Sequence, residues 1–494
     1  MPAAHVLNSV RTSRPSWLVA GLVTLVAFLL RLGASLDEFW LDEIWSWALV
    51  REQAHSPLDI LLVIRHDNNH PLNSLWLYLL GPDVDWRWYR LPAVLFGTAT
   101  VLLARQIVRS DGPQAVLAIT VLMLPAYLLI HYSSEARGYA GLLFFFAAAT
   151  LLLTRLLPAA GTPLVGRRDR RWWLQIVGFW LCLTGGMLSH ASFVSAEVAL
   201  GLWALIRTLR THGTFNRKVA LLVLLFGVPL LNTALLWLVN LSGMQIGGGG
   251  IENPWLVAAQ TAALMLGGPA EGEGILLVAG VVAVALLCQL IHQWRVGDDR
   301  WVLWLSLLLV PGVLIVVLGR QEIYPRYFLT TVLGLLLALA DLLGRALTRG
   351  GVPRWVALGL LAAATLGNAL HLSRLYRDGR GHVGEALHAI AAEAPGSQIV
   401  IGSDHPFRHG MVLAWHARTL PSDKRVIHLG TGPWPPGGPD WVLLHSQDLG
   451  WQPDAKLTDG EGRVYERQQV YPYAGLSGWN LAVYRNVRLK PTSR

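Results

Sequence analysis

Leu36-Asp37-Glu38-Phe39-Trp40-Leu41-Asp42-Glu43 places four carboxylates directly behind the apolar run Trp17–Leu30. A second polar knot, His66-Asp67-Asn68-Asn69-His70-Pro71, follows a short way on. The apolar run and its flanks, 16–35, have the length of a bilayer-spanning helix. Carboxylates at the edge of such a span are costly unless they are hydrated, paired or used. The stretch 36–90 therefore sets the question for the rest of the chain: what holds acid-rich chemistry at a membrane surface.

Composition answers the first half. Of 494 residues, 53% are hydrophobic and only 14% charged. Soluble domains carry about 25% charged residues, so the class is a polytopic α-helical membrane protein. The 22 tryptophans suit interfacial belts. The net charge of +9 reads as basic loops on one side of a membrane, with no nucleic-acid partner implied. Cys182 and Cys288, both inside apolar runs, make neither a disulfide framework nor a metal motif. The first apolar run lacks a clear small-residue cleavage site and is followed by further spans, so it reads as a retained helix.

Hydropathy predicts eleven spans, at about 16–35, 90–108, 113–131, 138–156, 172–190, 192–208, 218–239, 274–293, 301–318, 328–346 and 354–372. Arg11 and Arg14 precede the first. Alternate loops carry Arg109, then Arg167, Arg168, Arg170 and Arg171, then Arg207, Arg210, Arg217 and Lys218, then Arg295 and Arg300, then Arg345, Arg349 and Arg354. The positive-inside rule puts this set and the N-terminus in the cytoplasm. The acidic stretch, the turns at 131–138 and 319–327, the loop 239–273 and everything after 373 then lie outside. The expected location is the cytoplasmic (inner) membrane, with the site and C-terminal domain periplasmic or extracellular.

Within the first outer loop, 43–54 and 73–80 read as short interfacial helices. The loop 239–273 holds the Gly run 247–250 and an apolar piece, 254–266. From 373 to 494 the pattern becomes that of a small soluble α/β domain, following a transmembrane module over 1–372. Helices are expected over 382–394 and 408–418. Strands are expected over 398–401, 425–428, 441–445, 463–470 and 481–484.

The candidate chemistry gathers at one face. Trp40, Ile44, Trp45 and Trp47 flank Asp42-Glu43 and should partly desolvate it, which makes a usable base or metal ligand. Asp37 and Glu38 read as a solvated turn. Asn69 and His70 precede an interfacial helix, where capping and substrate binding are compatible. Tyr132-Ser133-Ser134-Glu135-Ala136-Arg137-Gly138-Tyr139 sits at the outer mouth of two spans. There Arg137 fits a phosphate, and Glu135 fits the arginine or sugar hydroxyls. Arg320 and Arg326, flanking Tyr324 and beside Tyr327, oppose the positive-inside trend and suggest an anionic ligand. His190 ends the fifth span on the same side, as a packing or a site residue. No Gly-rich phosphate loop or Walker lysine occurs. An activated donor outside the membrane then arrives by lipid.

Together, Asp42-Glu43, Asn69-His70-Pro71, Ser134-Glu135-Ala136-Arg137 with Tyr139, His190 and Arg326-Tyr327-Phe328 resemble the lipid-phosphate-sugar glycosyltransferases of the GT-C fold. The branch is that of the protein O-mannosyltransferases and lipid A aminoarabinose transferases, over about 16–345. The resemblance implies inverting transfer of a monosaccharide from a polyprenyl-phosphate donor to an acceptor lipid, glycan or protein. It implies Asp42 as general base with Glu43 beside it. Glu135, Arg137, Tyr139, Tyr324, Arg326 and Tyr327 are the expected donor and phosphate residues, and Asn69, His70 and His190 the expected substrate residues. No cofactor is required in that branch, although Asp42, Glu43 and His70 offer a divalent cation three ligands. Ser134 stands where the family has Gln, and Leu72 where a second Pro is common. The alternatives are a transporter of lipid-linked glycans, which needs polar groups through the membrane depth, and an oligosaccharide ligase or polymerase.

Overall fold

The computed structural model describes residues 17–163, 169–247, 253–317 and 323–489. Arg11, Arg14, Arg167, Arg168, Arg320 and most of the 247–250 Gly run lie outside the described residues. The first apolar run is helix α1 (Trp17–Ala34). The segment after it gives α2 (Leu41–Gln53), α3 (Asp59–Leu62) and α4 (Pro71–Leu80). Pro71 opens α4, at the position where a missing N–H costs the helix nothing. The apolar helices that follow are α5 (Trp86–Ile107), α6 (Pro113–Met123), α7 (Tyr127–Tyr132), α8 (Tyr139–Leu156), α9 (Arg170–Ser189) and α10 (Phe193–Leu209). Then come α11 (Phe215–Val239), α12 (Pro254–Met265), α13 (Gly274–Arg295), α14 (Arg300–Val317), α15 (Leu329–Arg349) and α16 (Gly351–Asp378).

Nine helices among the described residues are long and apolar enough to cross a membrane. Two of the eleven expected spans are shorter. Helix α10 has 17 residues. The span expected at 113–131 is split into α6 and α7, because Pro125 between them lacks a donor and cannot continue a helix. The buried N-terminus of α7 is capped from α16, where Asn368 Oδ1 accepts the Tyr127 N–H at 2.8 Å. This is the architecture of a multi-pass membrane protein. Helix α15 is its centre: 89% of its apolar window is buried, against 22% for α1 and α13. It packs on α6, α14 and α16. Helices α1 and α13 leave most of their apolar surface outward, as helices facing lipid do.

The C-terminal domain carries α17 (Val383–Glu393), α18 (Pro406–His416) and six strands: β1 (Gln398–Ser403), β2 (Arg425–Gly430), β3 (Trp441–Ser446), β4 (Lys456–Thr458), β5 (Val464–Tyr471) and β6 (Asn480–Asn486). The sheet order is β2-β1-β3-β6-β5-β4. Strand β1 is parallel to both β2 and β3, and the remaining pairs are antiparallel. The three residues of β4 are too few to show an alternation in sequence. Helix α16 runs on to Asp378, past the expected end of the last span.

Asp37 and Glu38 correct the expectation of a solvated turn, because they clamp this domain to the membrane module. Asp37 Oδ2 accepts the backbone N–H of Arg380 at 2.7 Å. Glu38 accepts the N–H groups of Gly384 and Glu385 at the start of α17, each at 2.8 Å. Burial raises the Glu38 pKa above the usual carboxylate value in spite of those bonds. The partners lie 343 or more residues away in the chain, beyond any local pattern.

Candidate active site

The helix N-terminus of α2 separates the two acids of Asp42-Glu43. Adjacent helical residues point about 100° apart and do not share a face. Glu43 turns inward and is fully buried. Its Oε1 and Oε2 accept from Arg90 Nε at 2.8 Å and Nη2 at 2.6 Å, and Oε1 also takes the Ala136 N–H at 2.6 Å. A bidentate Arg–carboxylate pair has fixed geometry. Glu43 thereby ties α2 to α5 and to the turn that carries Arg137.

Asp42 turns the other way, into a set of cations and rings. Its Oδ2 accepts from Arg137 Nη1 at 2.5 Å and from Arg326 Nη1 at 3.4 Å. Arg137 also donates to Asn68 Oδ1 at 2.7 Å and to His70 Nε2 at 3.3 Å. Its guanidinium lies 5.0 Å over the Tyr139 ring. Arg326 sits over Tyr324 at 4.3 Å and over Tyr327 at 5.7 Å. His70 and His190 stack at 4.9 Å, with Tyr139 4.8 Å from His190. Burial first, then the Arg137 charge, hold the His70 pKa well below 6.5. Burial and the same arginine push His190 down to about 3. Asp42 thus faces two guanidinium groups, with the Asp67 carboxylate within electrostatic range of Arg137 and His190.

Two polar atoms here are buried with no partner among the described residues: Arg326 Nε and Tyr139 Oη. Unpaired buried donors are costly, and in native proteins each one needs an explanation.

The structure gathers Asp42, Arg137, Arg326, His70, His190, Tyr139, Tyr324 and Tyr327. It places three of the expected residues elsewhere. Glu43 is on Arg90. Glu135 is fully buried on Arg380 Nε at 3.1 Å and on His131 at 3.2 Å, not on Arg137. Burial favours its neutral form, but the close His131 contact and the Arg380 charge outweigh that and hold its pKa below the usual range. Asn69 spends its amide on the Ile60 and Ile64 carbonyls, both at 2.7 Å, and its Oδ1 on Ser74. It shapes the turn before α4. Nor do Asp42, Glu43 and His70 converge on one point. Asp42 faces the arginines, Glu43 faces Arg90, and His70 Nε2 accepts from Arg137. Sequence reasoning gave Asn68 only a helix-capping role and passed over Arg90 and Arg380. Arg90 carried a signal: like Arg326, it is a cation at a helix end that the positive-inside rule is expected to place outside.

Gly138 brings the turn against α9. A Cβ built there would lie 1.7 Å from the Ser189 carbonyl oxygen and 3.1 Å from His70 Cβ. Gly138→Ala is therefore expected to destabilise the protein by at least the ~1–3 kcal/mol of ordinary overpacking, because the neighbour is backbone. An unchanged melting temperature in detergent would contradict this close approach.

No protein-family model matches the chain, and no curated protein matches it either. Solved structures do. ArnT from Cupriavidus metallidurans, bound to undecaprenyl phosphate, is similar with a TM-score of 0.50 at 15% identity, over 96% of this chain and 98% of that one. The apo form gives 0.51 at 13% identity, over 95% and 98%. The chain has the GT-C fold. An oligosaccharyltransferase from Archaeoglobus fulgidus in the apo form follows at 0.47 and 12% identity, over 85% of this chain and 65% of that one. The GT-C likeness to ArnT extends over nearly the whole chain, so it takes in the C-terminal sheet domain as well as the helices.

Proposed function

We propose that the chain is a glycosyltransferase that moves a monosaccharide from a polyprenyl-phosphate carrier to an acceptor at the outer face of the membrane. The observation that carries this reading is the pair of arginines converging on Asp42, with Arg326 Nε and Tyr139 Oη left over. A phosphate monoanion or dianion would pair with the two guanidinium groups and engage the unpaired donors together. It would also compete with Asp42 for Arg137 and Arg326, releasing the carboxylate to act as a base.

In the step, an acceptor hydroxyl or amine gives its proton to Asp42 as its heteroatom forms a bond to the anomeric carbon. The bond from that carbon to the phosphate oxygen breaks from the opposite side, with inversion. The electron pair leaves on the lipid phosphate, whose growing charge Arg137 and Arg326 stabilise. His70 accepts from Arg137 and keeps the guanidinium turned toward Asp42. Glu43 acts at one remove, holding Ala136 and so the backbone beside Arg137. Support for a lipid-phosphate donor also comes from the GT-C fold that the chain shares with ArnT, a protein solved with undecaprenyl phosphate.

The test uses purified protein in lipid, a set of labelled polyprenyl-phosphate sugars, lipid, glycan and peptide acceptors, and detection of released polyprenyl phosphate. Wild type is expected to release it from at least one of them. Arg326→Ala is expected to raise the donor KM by about tenfold or more, the loss of one charge-assisted contact of roughly 1.5–3 kcal/mol. An unchanged KM would remove Arg326 from the donor site. No release from any such donor would remove the transferase reading.

A further inference from the structure

A second constellation lies in the C-terminal domain, outside the set built on Asp42. The ligand atoms of Asp404, His409 and His445 all fall within 4.8 Å of one another. No other group of three His, Cys, Asp or Glu residues does so among the described residues. Asp404 follows β1, His409 is in the first turns of α18, and His445 is on β3. From β1 the chain passes through α18 to β2 on one side, and then crosses to β3 on the other. The cluster thus sits outside the carboxyl ends of β1 and β3, where the strand order reverses. Open α/β sheets hold their ligands in that crevice.

We propose that Asp404, His409 and His445 form a site for a divalent transition-metal ion. Asp404 Oδ1 lies 3.0 Å from His409 Nε2 and 2.8 Å from His445 Nδ1. Ligand atoms around a tetrahedral ion at roughly 2.0–2.1 Å stand about 3.3 Å apart. The two contacts to Asp404 need to open by only a few tenths of an ångström. Two imidazoles and a carboxylate suit Zn2+ and its neighbours, and three protein ligands leave a fourth position open. The carboxylate is already oriented: its Oδ2 accepts the His445 backbone N–H at 2.8 Å. His409 is fully buried, while Asp404 is 30% exposed and gives an ion its way in.

Occupancy has a consequence for a third side chain. Arg408 Nη1 donates to His445 Nε2 at 2.9 Å, which assigns the His445 proton to Nδ1, facing Asp404. An ion on Nδ1 shifts that proton to Nε2. Two donors then face each other, and the Arg408 contact breaks. The next residue back, Phe407, packs edge-on against Trp45 at 4.7 Å, and Arg408 is within electrostatic range of Tyr324. Metal binding therefore repositions a cation at the rim of the Asp42 site.

The experiment takes the full chain in detergent with any affinity tag removed. The protein is stripped with EDTA, titrated with Zn2+ by calorimetry, and its metal content measured after desalting. Wild type is expected to take up one Zn2+ per chain. Asp404→Asn and His445→Ala are expected to bind at least about tenfold more weakly, since loss of even an outer partner of a metal ligand costs 10–100-fold. His388→Ala, an exposed histidine elsewhere in the domain, should bind as wild type does. If a ligand variant fails to fold, the wild-type melting temperature still decides: saturating Zn2+ must raise it. No uptake and no shift in the wild type would overturn the proposal and leave a hydrogen-bonded Asp–His–His cluster.

Discussion

Asp42→Asn is expected to lower kcat by about 10²–10⁴, the range that a positioned general base contributes, while donor affinity holds or improves. The amide keeps the shape of the carboxylate and one oxygen for Arg137 Nη1, the 2.5 Å contact of the native site. It cannot take a proton from the acceptor. It also ceases to compete as an anion for Arg137 and Arg326, so a lipid phosphate should bind at least as well. The measurement is a kcat and KM split with saturating acceptor. A fall in kcat with an unchanged or lower donor KM is the signature of a base. A kcat within twofold of wild type would show that Asp42 is not one. A large rise in KM alone would make Asp42 a binding group.

The second large effect falls on its neighbour and is of a different kind. Glu43→Ala leaves the Arg90 guanidinium fully buried without its counter-charge, and also strands the Ala136 N–H. Breaking a buried pair from one side costs roughly 3–5 kcal/mol, and replacing both partners costs much less. Thermal unfolding in detergent should therefore show a severe loss for Glu43→Ala. Glu43→Gln combined with Arg90→Met should be clearly milder than the sum of the two single substitutions. Coupling of that sign marks Glu43 as the pin between α2 and α5. If Glu43→Gln instead melted like wild type and lost only kcat, Glu43 would belong to the chemistry after all.

These two residues show how far local sequence reaches. Asp42 and Glu43 share their charge, their flanking tryptophans and their distance from a span, and only the family resemblance singled out Asp42. Only the helical turn between them sends one into a buried pair and the other toward two arginines. Asn69 and His70 divide in the same way, one spent on the carbonyls of its own turn and the other stacked on His190. Glu135 and Arg137, two apart, take partners that come from different parts of the chain: Arg380 for the first, Asp42 for the second. Arg326 had a signal of its own, a cation where the topology disfavours one, and it does lie against Asp42.

By itself the sequence determined the class and the inventory. Apolar runs of bilayer length and the low charge content dictate a multi-pass helical protein, because backbone polar groups in hydrocarbon must be satisfied within each segment. Periodicity marked the short helices α2 and α4 and most of the C-terminal strands, because those signals are local. The motifs placed the acids, the arginines and the histidines at helix ends. Tertiary structure decided which of them meet. Arg90 and Glu43, Arg380 and Glu135, and Arg326 and Asp42 are separated by 47, 245 and 284 residues. Buried charges choose partners by proximity after packing, since an unpaired one is too costly to leave. No spacing rule along the chain encodes that choice.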